Sequence, residues 1–155
     1  MTDEEARRRF AAARVARLAT ADAEGRPHLV PMVFALAGER RTEGAVADSG
    51  TGTGATVYSA VDAKPKRSTS LRRLANIRAN PRVAVLVDHY SDDWSALWWV
   101  RADGTGRVLD AGSPEGRDAI ALLALRYPQY REKPPAGPVV AIDVERWSAW
   151  SAAGD

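Results

Sequence analysis

With 155 residues, 45% of them apolar and 27% charged, the chain is long enough for one packed domain, too short for two ordinary ones, and far from the composition of disordered chains. A net charge of +2 gives no general attraction to nucleic acid or to a membrane, and the absence of cysteine removes disulfide scaffolds, thiol nucleophiles and cysteine-held metals together. The charged start from Asp3 to Arg9 and the lack of any apolar run near the ~20 residues of a membrane span point to a cytoplasmic protein forming a single domain over residues 1–155.

Thr2 followed by Asp3, Glu4 and Glu5 reads as a capped helix running to about Ala13, with acids where the helix dipole favours them. Val15 to Thr20 and Pro27 to Ala35 read as strands around the polar turn Ala21 to Gly25. Gly38 to Gly54 has neither period and reads as a loop, and Ala55 to Val61 as a compact strand. A fixed turn at Asp62 to Arg67 leads into a helix from Ser68 to Ala79, with Leu71, Leu74 and Ile77 on one face and Arg72, Arg73 and Arg78 off it.

Arg82 to Tyr90 alternates as a β-branched strand. Trp94 to Ala102 and Thr105 to Leu109 flank Asp103-Gly104, a hairpin-turn signal. Ser113-Pro114 opens a helix that Pro128 closes, and a Pro-rich connection leads to a final strand, Val139 to Arg146. Short, mostly antiparallel connections favour a closed or nearly closed antiparallel barrel carrying short helices over a parallel sheet.

The residues offer no nucleophile elbow and no Ser-His-Asp arrangement, and His28 and His89 sit in separate strands without metal-ligand spacing. Gly50 to Gly54 lacks the preceding strand and following helix of a dinucleotide loop, and reads as a plain loop. Trp98 and Trp99 must point to opposite faces if they share a strand, so one can pack inward while the other meets an interface or planar ligand, with core filling the alternative for either one alone. Lys64, Lys66 and Arg67, joined by Arg72 or Arg73, form a basic turn suited to a phosphate or several carboxylates; a solvated basic turn is the plain alternative.

Val15-Ala16-Arg17-Leu18-Ala19-Thr20 and Gly25-Arg26-Pro27-His28-Leu29-Val30-Pro31-Met32-Val33-Phe34 resemble the opening hairpin of the pyridoxamine 5'-phosphate oxidase-like split β-barrel superfamily. The stretch Val57 to Arg67, with Leu71 to Ile77 and Asn80-Pro81, is similar to its deazaflavin-using branch, the F420-dependent oxidoreductases. The resemblance runs from about Ala13 to Trp150. It implies a β-rich, six-stranded antiparallel split barrel with short peripheral helices, assembled as a homodimer with the coenzyme in an interface groove.

On that resemblance, Pro31, Met32 and Val33 with Tyr58, Ser59, Ala60 and Val61 line the tricyclic ring through backbone groups. Lys64, Lys66 and Arg67 hold its phosphate, and the strand of Trp98 and Arg101 from the other subunit supplies a wall. No side chain is assigned a catalytic role and no metal is implied. Glu145-Arg146-Trp147 is followed by Ser148-Ala149-Trp150 where the vitamin-oxidising members carry a substrate-binding Arg and His, so vitamin B6 oxidation is not expected. The resulting expectation is hydride transfer between F420 and a small electron-poor molecule, with an FMN-dependent oxidase or reductase, or a non-catalytic coenzyme- or haem-binding module, as alternatives.

Overall fold

The computed structural model describes residues 1–38, 52–61 and 69–154, with the backbone alone for 69–71. Its elements, in chain order, are α1 (Asp3–Ala12), β1 (Ala16–Ala21), β2 (Pro27–Met32), β3 (Ala35–Ala37), β4 (Thr56–Ala60), α2 (Thr69–Ala79), β5 (Arg82–His89), β6 (Trp98–Leu109), α3 (Pro114–Arg126), α4 (Pro128–Glu132) and β7 (Val139–Ser151), with a 3-10 turn at Trp94–Ala96. The strands form one antiparallel sheet in the order β2-β1-β5-β6-β7-β4-β3. The two edge strands, β2 and β3, are separated in sequence only by Val33 and Phe34. So short a link reaches no more than ~10 Å, and the sheet must curl until its edges meet there. Counted as one bent strand, β2 and β3 give the six strands of a split barrel.

The interior is filled from the alternating faces of the strands, with Leu18, Val57, Val85, Val87, Val100, Ile142 and Val144 all fully or almost fully buried. Helix α1, capped by Thr2 Oγ1 accepting from Glu5 N at 3.2 Å, brings Phe10 against Phe34 and Trp147, with ring centroids 5.1 and 5.0 Å apart. Helix α2 adds Leu74 and Ile77 to the same core. Helix α3 packs Ala119 and Leu123 into a smaller cluster with Ala35, Ala60, Tyr127 and Val139.

The hairpin expected at Asp103-Gly104 does not form. Residues Trp98–Leu109 are one continuous strand, paired with β5 along one edge and with β7 along the other. Gly104 serves a close approach, since a Cβ there would lie 2.2 Å from the carbonyl oxygen of Asp143. Opposite it the register jumps from Asp103↔Arg146 to Gly104↔Val144, leaving Glu145 as the extra residue of a β-bulge. The bulge shifts the inward face of β7 from even to odd positions, so Val140, Ile142 and Val144 share the core with Trp147. Pairing with β6 continues β7 beyond its expected end at Arg146 to Ser151.

Two further boundaries differ from expectation. The strand expected over Pro27 to Ala35 breaks at Val33-Phe34, where the chain passes from one sheet edge to the other. Beyond Pro128 a short helix, α4, forms where no element was expected, ahead of the Pro-rich connection. Among the described residues, no helix is long and apolar enough to cross a membrane.

Candidate functional site

The bend at Val33-Phe34 is held by side chains. Tyr127 Oη accepts from Phe34 N at 3.2 Å and lies 2.9 Å from Phe34 O and 3.0 Å from Arg14 O. The Arg126 guanidinium donates to Phe34 O at 2.7 Å and to Ala13 O at 2.6 Å, which ties the end of α3 to the bend and to the α1–β1 junction. Burial pulls the Arg126 pKa below its ordinary value, the expected response of a cation held in a half-buried socket of carbonyls. Ser59 Oγ donates to Val33 O at 2.8 Å and fixes β4 to the same bend.

Beside this anchored bend the sheet is split. β3 pairs with β4 only as far as Ala35↔Tyr58, so Ser59 and Ala60 have β7 on one side and no strand on the other. Pro31 and Met32 pair with Arg17 and Ala16 of β1 and leave their second edge open. Between the two open edges lies a cavity of about 350 Å³ lined by Val15, Pro31, Met32, Val33, Ser59, Ala60, Arg73 and Tyr130. It thus offers backbone N–H and C=O groups at strand edges, an apolar floor at Met32 and Val33, and one guanidinium. These features suit a flat heterocycle whose amide-like rim bonds to main chain, within the volume range of ligand sites.

Five expected ring-lining residues, Pro31, Met32, Val33, Ser59 and Ala60, are therefore brought together. Tyr58 points away from Ser59, as strand alternation requires, and lines a cavity of about 810 Å³ between α3 and the β3–β4 pair. There burial and, next, the charge of Glu115 push its pKa upward. That cavity is braced by Arg107, whose guanidinium reaches Asp143 at 2.7 and 3.0 Å and Glu115 at 3.0 Å; these bonds raise its pKa. Val61 is buried, its N–H donating to Pro138 O at 3.0 Å. Lys64, Lys66 and Arg67 lie outside the described residues, as do Gly50 and Thr51.

Trp98 and Arg101 lie in β6, in the middle of the sheet order, whereas the cleft lies at its edges. Trp98 packs toward the core, with the Arg9 guanidinium 5.2 Å from its ring centre and His89 stacked at 6.4 Å. Arg101 is on the opposite face with Trp99, 5.9 Å from that ring, and bonds Asp103 at 3.1 Å. On this outer face the register aligns Pro31, Arg17, Leu86, Arg101 and Ser148 across five strands, with Asp88, Trp99 and Trp150 in the next row. Leu29 and Trp150 expose 68% and 44% of their surface there, large fractions for such apolar side chains. Arg73 and Tyr130, absent from the expected set, complete the cleft. Arg73 was legible only as part of a basic cluster, and Tyr130 carried no signal because α4 itself was not expected.

Fold and cleft together define a split-barrel protein with a main-chain-lined cleft at the split. The family model for pyridoxamine 5'-phosphate oxidase matches residues 2–151, and the chain belongs to that family. No match was found among curated proteins. Among solved structures, the conserved hypothetical protein Rv2991 of Mycobacterium tuberculosis is similar at 22% identity and a TM-score of 0.68, over 98% of this chain and 86% of that one. An FAD-binding protein of Mesorhizobium loti gives 24% identity and 0.63, over 96% and 94%. The haem storage protein HutZ of Vibrio cholerae gives 16% and 0.64, over 96% and 93%. These likenesses show the fold.

Proposed function

We propose that the chain is a flavin-type oxidoreductase that seats a deazaflavin, F420, in the cleft between β2 and β4 and passes hydride between it and a small electron-poor molecule. The carrying observation is the cleft itself, open strand edges flanked by Met32, Val33 and Ser59, which favours a planar ring bonded to main chain. Such a coenzyme, when bound, supplies the hydride chemistry, so the protein needs no nucleophile of its own. The chain's residues orient and shield: Ser59 fixes Val33, Tyr127 and Arg126 fix Phe34, and the apolar floor excludes water. Lys64, Lys66 and Arg67 follow β4 closely in sequence and are assigned to the coenzyme's phosphate, with its acidic tail beyond.

The reading includes a homodimer. Its support is the outer face, where Leu29, Leu86, Trp99 and Trp150 stand among the paired charges Arg17–Asp88 and Arg101–Asp103, with Pro31 at the lip of the cleft. A second copy on that face would bring its own β6 strand toward the first copy's cleft, presenting Arg101 and Trp99 outward while Trp98 stays on the inner face.

The test is fluorescence titration of the purified protein with F420 and with FMN. Saturable F420 binding supports the reading, tight FMN binding without F420 binding overturns the coenzyme assignment, and binding of neither overturns the site. An FMN-dependent enzyme is the second reading, favoured by the similarity to an FAD-binding protein, and would purify yellow. A non-catalytic haem-binding role is favoured by the similarity to HutZ. A Soret shift on haem addition, with no turnover of activated alkenes, quinones or nitroaromatics by the F420-loaded protein, would establish it instead.

A further inference from the structure

A third cavity, of about 400 Å³, opens between β2 and α2, lined by Asp22, Arg26, Pro27, His28, Arg72 and Asn76. It shares its two elements with the cleft. On β2 the lining shifts from Pro31 and Met32 to Pro27 and His28, roughly 10–14 Å along the strand. On α2 it shifts from Arg73 to the adjacent Arg72.

Of the charged side chains lining this cavity, Asp22 and Arg26 are ion-paired and Arg72 stands outside that pairing. Asp22 is committed: its carboxylate accepts from Arg26 Nε at 2.7 Å and from the backbone N–H groups of Glu24 and Arg26, both at 2.9 Å. Those bonds, led by the one from the Arg26 backbone, hold its pKa below the usual carboxylate value. Arg26 is in turn paired with Asp22 and Glu24. Among the described residues, no carboxylate pairs with Arg72, so one guanidinium charge is left for the cavity. Asn76 is only 5% exposed and is held by donating Nδ2 to Thr20 Oγ1 at 3.1 Å, which keeps a fixed carboxamide beside that charge.

His28 completes the arrangement. Its Nδ1 is sealed from solvent and has no hydrogen-bond partner among the described residues. A proton placed there would be a buried donor without an acceptor, a costlier state than a bare lone pair. The neutral ring is accordingly assigned its proton on Nε2, the nitrogen left to donate from a side chain that lines the cavity. Burial, then the charges of Arg72 and Arg73, lower its pKa and keep the ring neutral near pH 7. A neutral donor, a fixed amide and an uncompensated guanidinium around one cavity form a receptor for oxygen-bearing anions.

We infer that the cavity bounded by His28, Arg72 and Asn76 binds an oxyanion, a phosphate or carboxylate group, separately from the ring cleft. The anion is either free in solution or the acidic arm of a molecule whose ring occupies the cleft. The inference stands on this cavity's own residues and does not require a flavin to bind.

The experiment follows the ring nitrogens of both histidines by NMR while the intact protein is titrated with inorganic phosphate and, separately, with a short oligoglutamate. Saturable movement of His28 with His89 unmoved is expected. In R72A, whose substituted side chain is exposed, the midpoint should rise at least about tenfold, the worth of one charge-assisted bond. Phosphate alone acting supports a free oxyanion; oligoglutamate acting as well supports an acidic arm. Unmoved His28 resonances with both probes, or an R72A midpoint equal to the wild type, would overturn the inference. Titration with F420 or FMN reports the cleft separately, so either site can fail without the other.

Discussion

Replacing Tyr127 with phenylalanine tests whether the bend between β2 and β3 is held as described. The ring stays, so packing against Tyr130 and in the cluster with Leu123 and Val139 is kept. What goes is one hydroxyl. Phe34 O retains the Arg126 guanidinium at 2.7 Å, and Arg14 O belongs to an exposed residue that water can serve, so neither loss is costly. Phe34 N–H is different: the residue is 0% exposed, and Tyr127 Oη is its bond acceptor at 3.2 Å. Leaving such a donor unsatisfied costs about 1–3 kcal/mol. At about 2 kcal/mol, a domain of this size should lose roughly 4–8 °C in Tm. Thermal unfolding followed by circular dichroism would measure it, with urea unfolding at unchanged m-value confirming a stability effect. A Tm within about 1 °C of the wild type would show that the hydroxyl does not hold the bend.

Other substitutions probe other parts of the argument. Gly104→Ala should destabilise the protein by several kcal/mol, because the new methyl meets the Asp143 backbone at 2.2 Å; a chemical denaturation midpoint close to wild type would refute the bulge geometry. His28 has a folded-state pKa below its ordinary 6.5, so the stability linked to it is present above that value and is lost as pH falls through the folded pKa. His28→Gln should accordingly flatten the stability loss between about pH 7 and pH 5, measured by urea midpoints. Leu29→Asp places a charge on the outer face at a 68% exposed position and should yield monomers by light scattering with little change in monomer stability. Lys64→Ala and Lys66→Ala should each weaken coenzyme binding by about 1.5–3 kcal/mol, read by fluorescence titration, with the fold unchanged.

Where local chemistry decided an element, the sequence was readable. Thr2 and Ser113 each cap the helix they precede, with Ser113 Oγ accepting from Gly116 N at 3.1 Å, and the β-branched run of β5 forms the expected strand. Where long-range pairing decided, it was not. Asp103-Gly104 has the composition of a tight turn, yet β5 and β7 flank it on both sides and Gly104 is required by the nearness of Asp143 rather than by a turn. The same bulge hides the inward role of Trp147, because period-two reading continues the even face of β7 past the point where Glu145 resets it. The break at Val33-Phe34 has no turn residue to announce it. It exists because Ser59, Arg126 and Tyr127, distant in sequence, claim its carbonyls and its N–H.

The cleft was legible only through resemblance, for a physical reason. A site made of open strand edges presents groups that every residue possesses, so side-chain chemistry leaves few marks on the sequence. What such a site demands is that two strands stop pairing at the right place, and here that is set by one hydroxyl, one phenol and one guanidinium converging on two residues. None of these three groups needs to touch a ligand in order to govern binding. Variants at Ser59, Arg126 and Tyr127 should therefore change ligand affinity by altering the spacing of the two open edges. Substitutions that alter only the side chain of Ala60, leaving the main chain in place, should act chiefly through the shape of the cleft.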